Sequence, residues 1–149
     1  MTRTAAREIA MHLSFAAVVN RTDIREQLEL FFDPEYYATL GPEDPVYEDY
    51  PDERQMAYIR RVAEGVADHA PELDEYIARY AKNWDFDRIS RVAAAILRTA
   101  MFEILYLPEV PYRAAANEAV ELAKTYEGRD TAGFVNGILA TFIEQEKHE

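Results

Sequence analysis

The chain has 149 residues, 49% of them hydrophobic and 30% charged, with a formal net charge of −12 and no cysteine. Those figures fit one globular domain with a sizeable core, exclude a disulfide framework or thiolate metal site, and disfavour casual nucleic-acid binding, because anions repel phosphates at long range. No apolar run approaches the roughly 20 residues that span a bilayer, and MTRTAAREIA has no uninterrupted apolar signal segment, so a cytoplasmic protein without a membrane partner is expected.

The pattern from Thr4 to about Asn20 predicts a helix with a wide apolar stripe (Ile9, Leu13, Ala16, flanked by Met11, Phe15 and Val18). Arg3 and Arg7 stand at i, i+4 near its start, where cations oppose the helix macrodipole. Holding phosphate would account for them; so would two solvated arginines near Glu8. Asp23 suits the N-cap of a second helix with Ile24, Leu28 and Phe31 or Phe32 inward, ended by Asp33-Pro34.

Residues 33–54 form an acidic insertion in which Pro34, Pro42, Pro45 and Pro51 alternate with Tyr36, Tyr37, Tyr47 and Tyr50. Between positions 31 and 55 eight acids face Arg54 alone, a net charge of −7 that holds over half of the chain's excess. A solvated loop laid partly over the surface is expected, with a helical turn at Pro34–Tyr37. Because the excess is concentrated there, a nucleic-acid surface elsewhere remains compatible with the composition.

A third helix is expected from about Asp52 to His69, with Ile59, Val62 and Val66 inward. Pro71 opens a fourth, with Leu73, Ile77 and Tyr80 or Ala81 inward, and Asn83 and Trp84 mark its exit, Trp84 as a core plug. Asp87 is the expected cap of RISRVAAAILRTAMFEILYL, apolar over most of its circumference and therefore the central helix. Its Arg88, Arg91 and Arg98 could serve a phosphate backbone, but pairing with Asp85, Asp87 and neighbouring acids is the favoured expectation.

From Pro111 to Leu139 two helical patterns meet at a short turn. Ala115, Ala119, Leu122 and Tyr126 line one face of the first, and Gly128 suits a C′ position with positive φ. Asp130 or Thr131 is the expected cap of the second, whose stripe is Val135, Ile138, Leu139, Phe142 and Ile143. Gly137 lies inside it at a cost of about 1 kcal/mol relative to Ala, so a packing reason is expected. Phe134 is expected to be partly buried. The whole chain thus reads as all-α, with about seven helices and no strand signal.

Catalytic chemistry finds no support in the sequence. His12, His69 and His148 lie in different segments, no HExxH or ExxH pair exists for a metal, and no phosphate-cradling glycine motif is present. The expectation is no catalytic residue, no metal and no cofactor.

Three pieces resemble the NusB transcription antitermination family. They are Ala6-Arg7-Glu8 with Ala10 and Phe15; Ala95-Ile96-Leu97-Arg98 through Phe102-Glu103-Ile104; and Pro111 with Asn117-Glu118-Ala119-Val120-Glu121-Leu122-Ala123-Lys124, followed by Phe134-Val135-Asn136-Gly137-Ile138-Leu139. NEAVELAK followed by FVNG at this spacing is the most specific. The resemblance implies an all-helical protein of two small packed subdomains, one RNA-binding domain over residues 1–149 with an acidic loop insertion. It further implies binding of box A RNA in ribosomal-RNA leader transcripts together with the ribosomal protein NusE, within the RNA polymerase antitermination complex.

By carry-over Arg3 and Arg7 meet phosphates, Phe134 offers a stacking or apolar face, Asp130 is an interface acid to RNA or partner, and Phe15 belongs to the partner surface. The chain departs from the family in its Thr4 and Ala5, in Gly133 where lysine is common, and in Ala94 where a basic residue is common. Each departure removes local positive charge, so weak RNA affinity of the isolated chain is expected, as is an alternative role as a protein-only helical adaptor.

Overall fold

A computed structural model describes residues 1–81 and 89–147. Its described residues form eight α-helices and one 3-10 turn, with no strand. The helices are α1 (Arg3–Asn20), α2 (Ile24–Phe31), α3 (Pro34–Tyr37), α4 (Glu53–Asp68), α5 (Ala70–Tyr80), α6 (Arg91–Tyr106), α7 (Tyr112–Glu127) and α8 (Arg129–Glu146). The all-α expectation holds; α3, expected only as a helical turn, adds one helix. The expected roles of Asn83, Trp84, Asp85, Asp87 and Arg88 lie outside the described residues. Two compact units divide the chain, Met1–Ala67 and Asp68–Glu149.

In the first unit, Thr2 caps α1 by accepting from the Ala5 amide at 3.0 Å, and Asp23 caps α2 by accepting from Arg25 and Glu26. Ile9, Leu13, Ile24, Leu28, Ile59 and Val62 are buried, so the apolar stripes of α1, α2 and α4 face inward as their spacing predicts.

The insertion is more folded than a solvated loop. Phe31 and Phe32 pack edge-on at 5.0 Å, and Phe31 meets the rings of Tyr36, Tyr37 and Tyr47 at 6.2, 5.7 and 5.6 Å. Tyr37 and Tyr50 each donate to a backbone carbonyl, of Asp49 at 2.9 Å and Phe32 at 2.6 Å. Phe32 and Tyr37 are buried and Phe31 and Tyr47 half-buried, which gives the segment a small core of its own with Tyr36 and Tyr50 on its exposed rim, while Glu35, Glu43, Glu48 and Asp49 keep their carboxylates toward water. Burial and the nearby Asp49 carboxylate raise the Tyr37 pKa to about 12.

The second unit is built on α6, whose residues from Ala93 to Ile104 are all buried. It packs against α5, α7 and α8, as expected of the central helix. Arg98 is 9% exposed and its Nε donates to the Asp74 carboxylate at 2.6 Å. It therefore pairs with an acid, as expected, but one on α5. Ser90 caps α6, accepting from the Ala93 amide at 3.0 Å. Tyr126 departs from its expected core position: it is 39% exposed. It stands in the last turn of α7, one residue before the helix ends at Glu127.

Candidate RNA and partner interface

The sequence-marked residues fall into two groups, one in each unit. In the first unit the group is built on α1. Arg3 and Arg7 occupy successive turns, and both guanidinium groups lie over the ring of Tyr58 from α4, at 4.0 and 5.8 Å from its centroid. Arg3 also donates from Nε to the Gln55 side-chain oxygen at 3.0 Å. The cost of placing cations at a helix N-terminus is offset here by an aromatic face. Arg3 is half-buried, but Arg7 is only 5% exposed, so it presents little surface to a ligand. Phe15, two turns further along α1, is half-buried.

The adjoining face of α1 carries a polar cluster that sequence reasoning did not single out. His12 Nδ1 lies 2.5 Å from the Tyr47 hydroxyl and Nε2 lies 3.8 Å from Glu8. A proton on Nε2 faces the carboxylate and leaves Nδ1 to accept from the phenol. Burial lowers the His12 pKa from its usual 6.5, against the opposing pull of Glu8 and Asp44. Burial likewise raises the pKa of Tyr47, with Asp44 and Glu8 adding to it.

In the second unit the group sits where α7 meets α8. Gly128 has φ of +100°, where a side chain is strained, and its amide donates to the carbonyls of Ala123 and Lys124 at 3.1 and 3.2 Å. The reversal is complete in this one residue, so α8 begins at Arg129. The expected Asp130 or Thr131 cap is therefore corrected: both lie inside the first turn of α8, which has no side-chain cap. Asp130 keeps the favourable place of an acid near a helix N-terminus, and its carboxylate is exposed.

Asp130 and Phe134 come together on the wall of one cleft of about 140 Å³, completed by Ile89, Ser90, Ala93, Glu127 and Thr131. Phe134 is half-buried, as expected, so part of its ring remains as an apolar face on the cleft wall. The Ser90 hydroxyl donates to the Glu127 carboxylate, tying the start of α6 to the end of α7. Ser90 and Glu127 were not foreseen; a serine three residues before a buried alanine run is the cap signal that points to Ser90.

This cleft offers an aromatic ring, two hydroxyls and two carboxylates. It can accept hydrogen bonds from base amino groups or from a partner's N–H groups, and it gives an apolar face for stacking. Its volume is small for a substrate pocket, which ordinarily exceeds about 300 Å³. Among the described residues no group of three or more His, Cys, Asp or Glu side chains is placed to hold a metal ion. No described helix is long and apolar enough to cross a membrane.

The NusB family profile covers residues 4–144, and the chain belongs to the NusB family. It is 34% identical over 143 residues to the transcription antitermination protein NusB of Clostridium botulinum strain Hall, covering 96% of this chain and all of the relative. NusB from T. maritima superposes with a TM-score of 0.79 at 27% identity, over 97% of this chain and 92% of that one. A structure of antitermination factors NusB and NusE in complex with dsRNA shares the fold, with a TM-score of 0.74 at 19% identity over 96% of each chain.

Proposed function

We propose that this chain is a non-catalytic, RNA-binding transcription antitermination factor that binds box A RNA of ribosomal-RNA leader transcripts together with the ribosomal protein NusE, within the RNA polymerase antitermination complex. The observation that carries the reading is the cleft where Asp130 and Phe134, both within the NusB-like stretch, line one wall. Family membership supports it, as do the C. botulinum relative's name and the NusB–NusE–dsRNA complex of the same fold. In this reading residues 1–149 act as one RNA-binding domain. Phe134 stacks on a base or apolar partner group, and Asp130 accepts from base or partner N–H groups. Arg3 meets phosphate, Arg7 adds its charge one turn away, and Phe15 belongs to the NusE surface.

The test pairs binding with stability. Box A RNA should bind better with NusE present than without it, and more weakly as salt rises. Asp130→Asn should leave unfolding free energy within about 0.5 kcal/mol, since it removes one exposed charge from a helix start, while changing RNA or NusE affinity. Equal affinity for scrambled RNA, with no gain from NusE, rules the function out.

A second reading, a protein-only helical adaptor, is favoured by the net charge of −12 and by the engagement of Arg3 and Arg7 with Tyr58. Arg3→Ala separates the two. If NusE still binds and RNA affinity is unmoved, the adaptor reading stands.

A further inference from the structure

Leu30 is 74% exposed on an otherwise amphipathic helix, more than any other large apolar side chain among the described residues. It lies in a groove of about 710 Å³ with Phe31 from the same helix and Tyr36 from α3, itself 49% exposed. The groove falls wholly within the first unit and contains none of the residues assigned above to RNA or NusE.

Its walls are held in place before anything binds. Phe31 is surrounded by the rings of Phe32, Tyr36, Tyr37 and Tyr47. Gln27, also in the lining, donates from Nε2 to the Leu13 carbonyl at 3.0 Å and accepts from the Thr22 hydroxyl at 2.7 Å, fixing α2 against the end of α1. A preformed apolar groove loses little entropy when occupied.

The rim selects the occupant. Glu26, Glu29 and Asp33 line the groove, and among the described residues no lysine or arginine does. Arg25, the cation on α2, is turned to Glu64 at 2.9 Å, while Arg60 reaches Glu29 only at 3.5 Å with Glu29 77% exposed. An acidic rim beside a segment of charge −7 repels nucleic acid and anionic bilayers. A second copy of this chain carries −12 and is repelled as well. Apolar side chains backed by lysine or arginine fit both the floor and the rim.

We propose that the groove formed by Leu30, Phe31 and Tyr36 docks a cationic amphipathic segment of a partner protein. Two or three apolar side chains at helical spacing enter the groove, and flanking cations meet Glu26, Glu29 and Asp33. The apolar contacts supply the affinity and the carboxylates the orientation and salt dependence.

The test titrates the isotope-labelled full chain with a synthetic amphipathic peptide of leucine and lysine, about 14 residues long, enough to form a helix on binding. Controls carry glutamate in place of lysine, or the same residues in shuffled order. NMR shifts should gather at Thr22, Gln27, Leu30, Phe31 and Tyr36. Affinity should fall about tenfold in Leu30→Ser, the scale of losing one interface anchor, and should fall in Glu26→Lys and with added salt. Thermal unfolding of both variants checks that they remain folded; both sites are exposed.

Shifts scattered over the acidic insertion with Leu30→Ser binding normally mean charge attraction alone, and overturn the proposal. So does equal binding of the glutamate or shuffled peptide. Sedimentation showing self-association lost in Leu30→Ser would assign the groove to a second copy instead. Leu30-dependent flotation with phosphatidylglycerol vesicles would assign it to a membrane; either result also overturns the proposal.

Discussion

The start of α1 and the α7–α8 junction both carry residues that the sequence marks for binding, and they differ in what the fold leaves over. On α1 the polar groups are engaged within their own unit: Arg3 and Arg7 with the Tyr58 ring, His12 with Tyr47 and Glu8. At the junction Asp130 has no capping duty, Phe134 lines a cleft, and Gly133 and Gly137 have open space where a side chain would go. The same helical signals thus describe a region that is largely committed to stability and one that is available for recognition.

If that contrast is right, the largest effect belongs to Tyr58→Ala. It deletes a buried ring and leaves two cations without their shared aromatic face, so chemical denaturation should show a loss of about 3–5 kcal/mol. A loss under about 1 kcal/mol would mean that the arginines rest on Tyr58 incidentally and are available to RNA after all.

Gly137→Ala should act in the opposite direction. Beyond its chain neighbours and its own helix backbone, no heavy atom of the described residues lies within 4 Å of a Cβ built there, so those residues supply no packing reason for this glycine. The substitution should raise stability by roughly 0.5–1 kcal/mol by lowering the backbone entropy lost on folding. A Gly137→Ala variant that is more stable but binds RNA or NusE less well would assign the bare backbone to the interface; one that is less stable would show that the open face is covered.

The smallest effect is the pH dependence set by His12. Its folded-state pKa is below the usual 6.5, chiefly through burial, so the unfolded chain takes up the proton first as pH falls. The stability that neutral His12 permits is complete above that value and is lost as pH falls through 6.5 toward the lowered pKa. His12→Gln should flatten this part of the Tm profile between about pH 8 and pH 5. An unchanged slope would place the pH sensitivity in other groups.

Much of the fold was legible in the residue pattern because helices announce themselves locally. The apolar periodicity of α1, α4 and α6, the Asp23 cap and the need for positive φ at Gly128 are decided by neighbours within a turn. Where the pattern failed, the cause was nonlocal or lay at an element's end. Tyr126 has the right spacing for the core, but it stands in the last turn of α7 and is left 39% exposed. Asp130 has the right chemistry for a cap, but Gly128 completes the turn two residues earlier. The acidic insertion reads as solvated from its charge, yet its tyrosines find one another and Phe31 across the sequence.

The sequence by itself determined the all-helical class, the family and the inward faces of most helices, since each rests on spacing and local propensity. Only the tertiary structure decided which polar residues are spent and which are left over. Whether Arg7 is buried at Tyr58, whether Arg98 meets Asp74, and whether Asp130 shares a cleft with Phe134 and Ser90 depend on residues distant in the chain brought within a few ångströms. Electrostatic and packing energies are set by that distance and by the removal of water, and neither is written in the order of the residues.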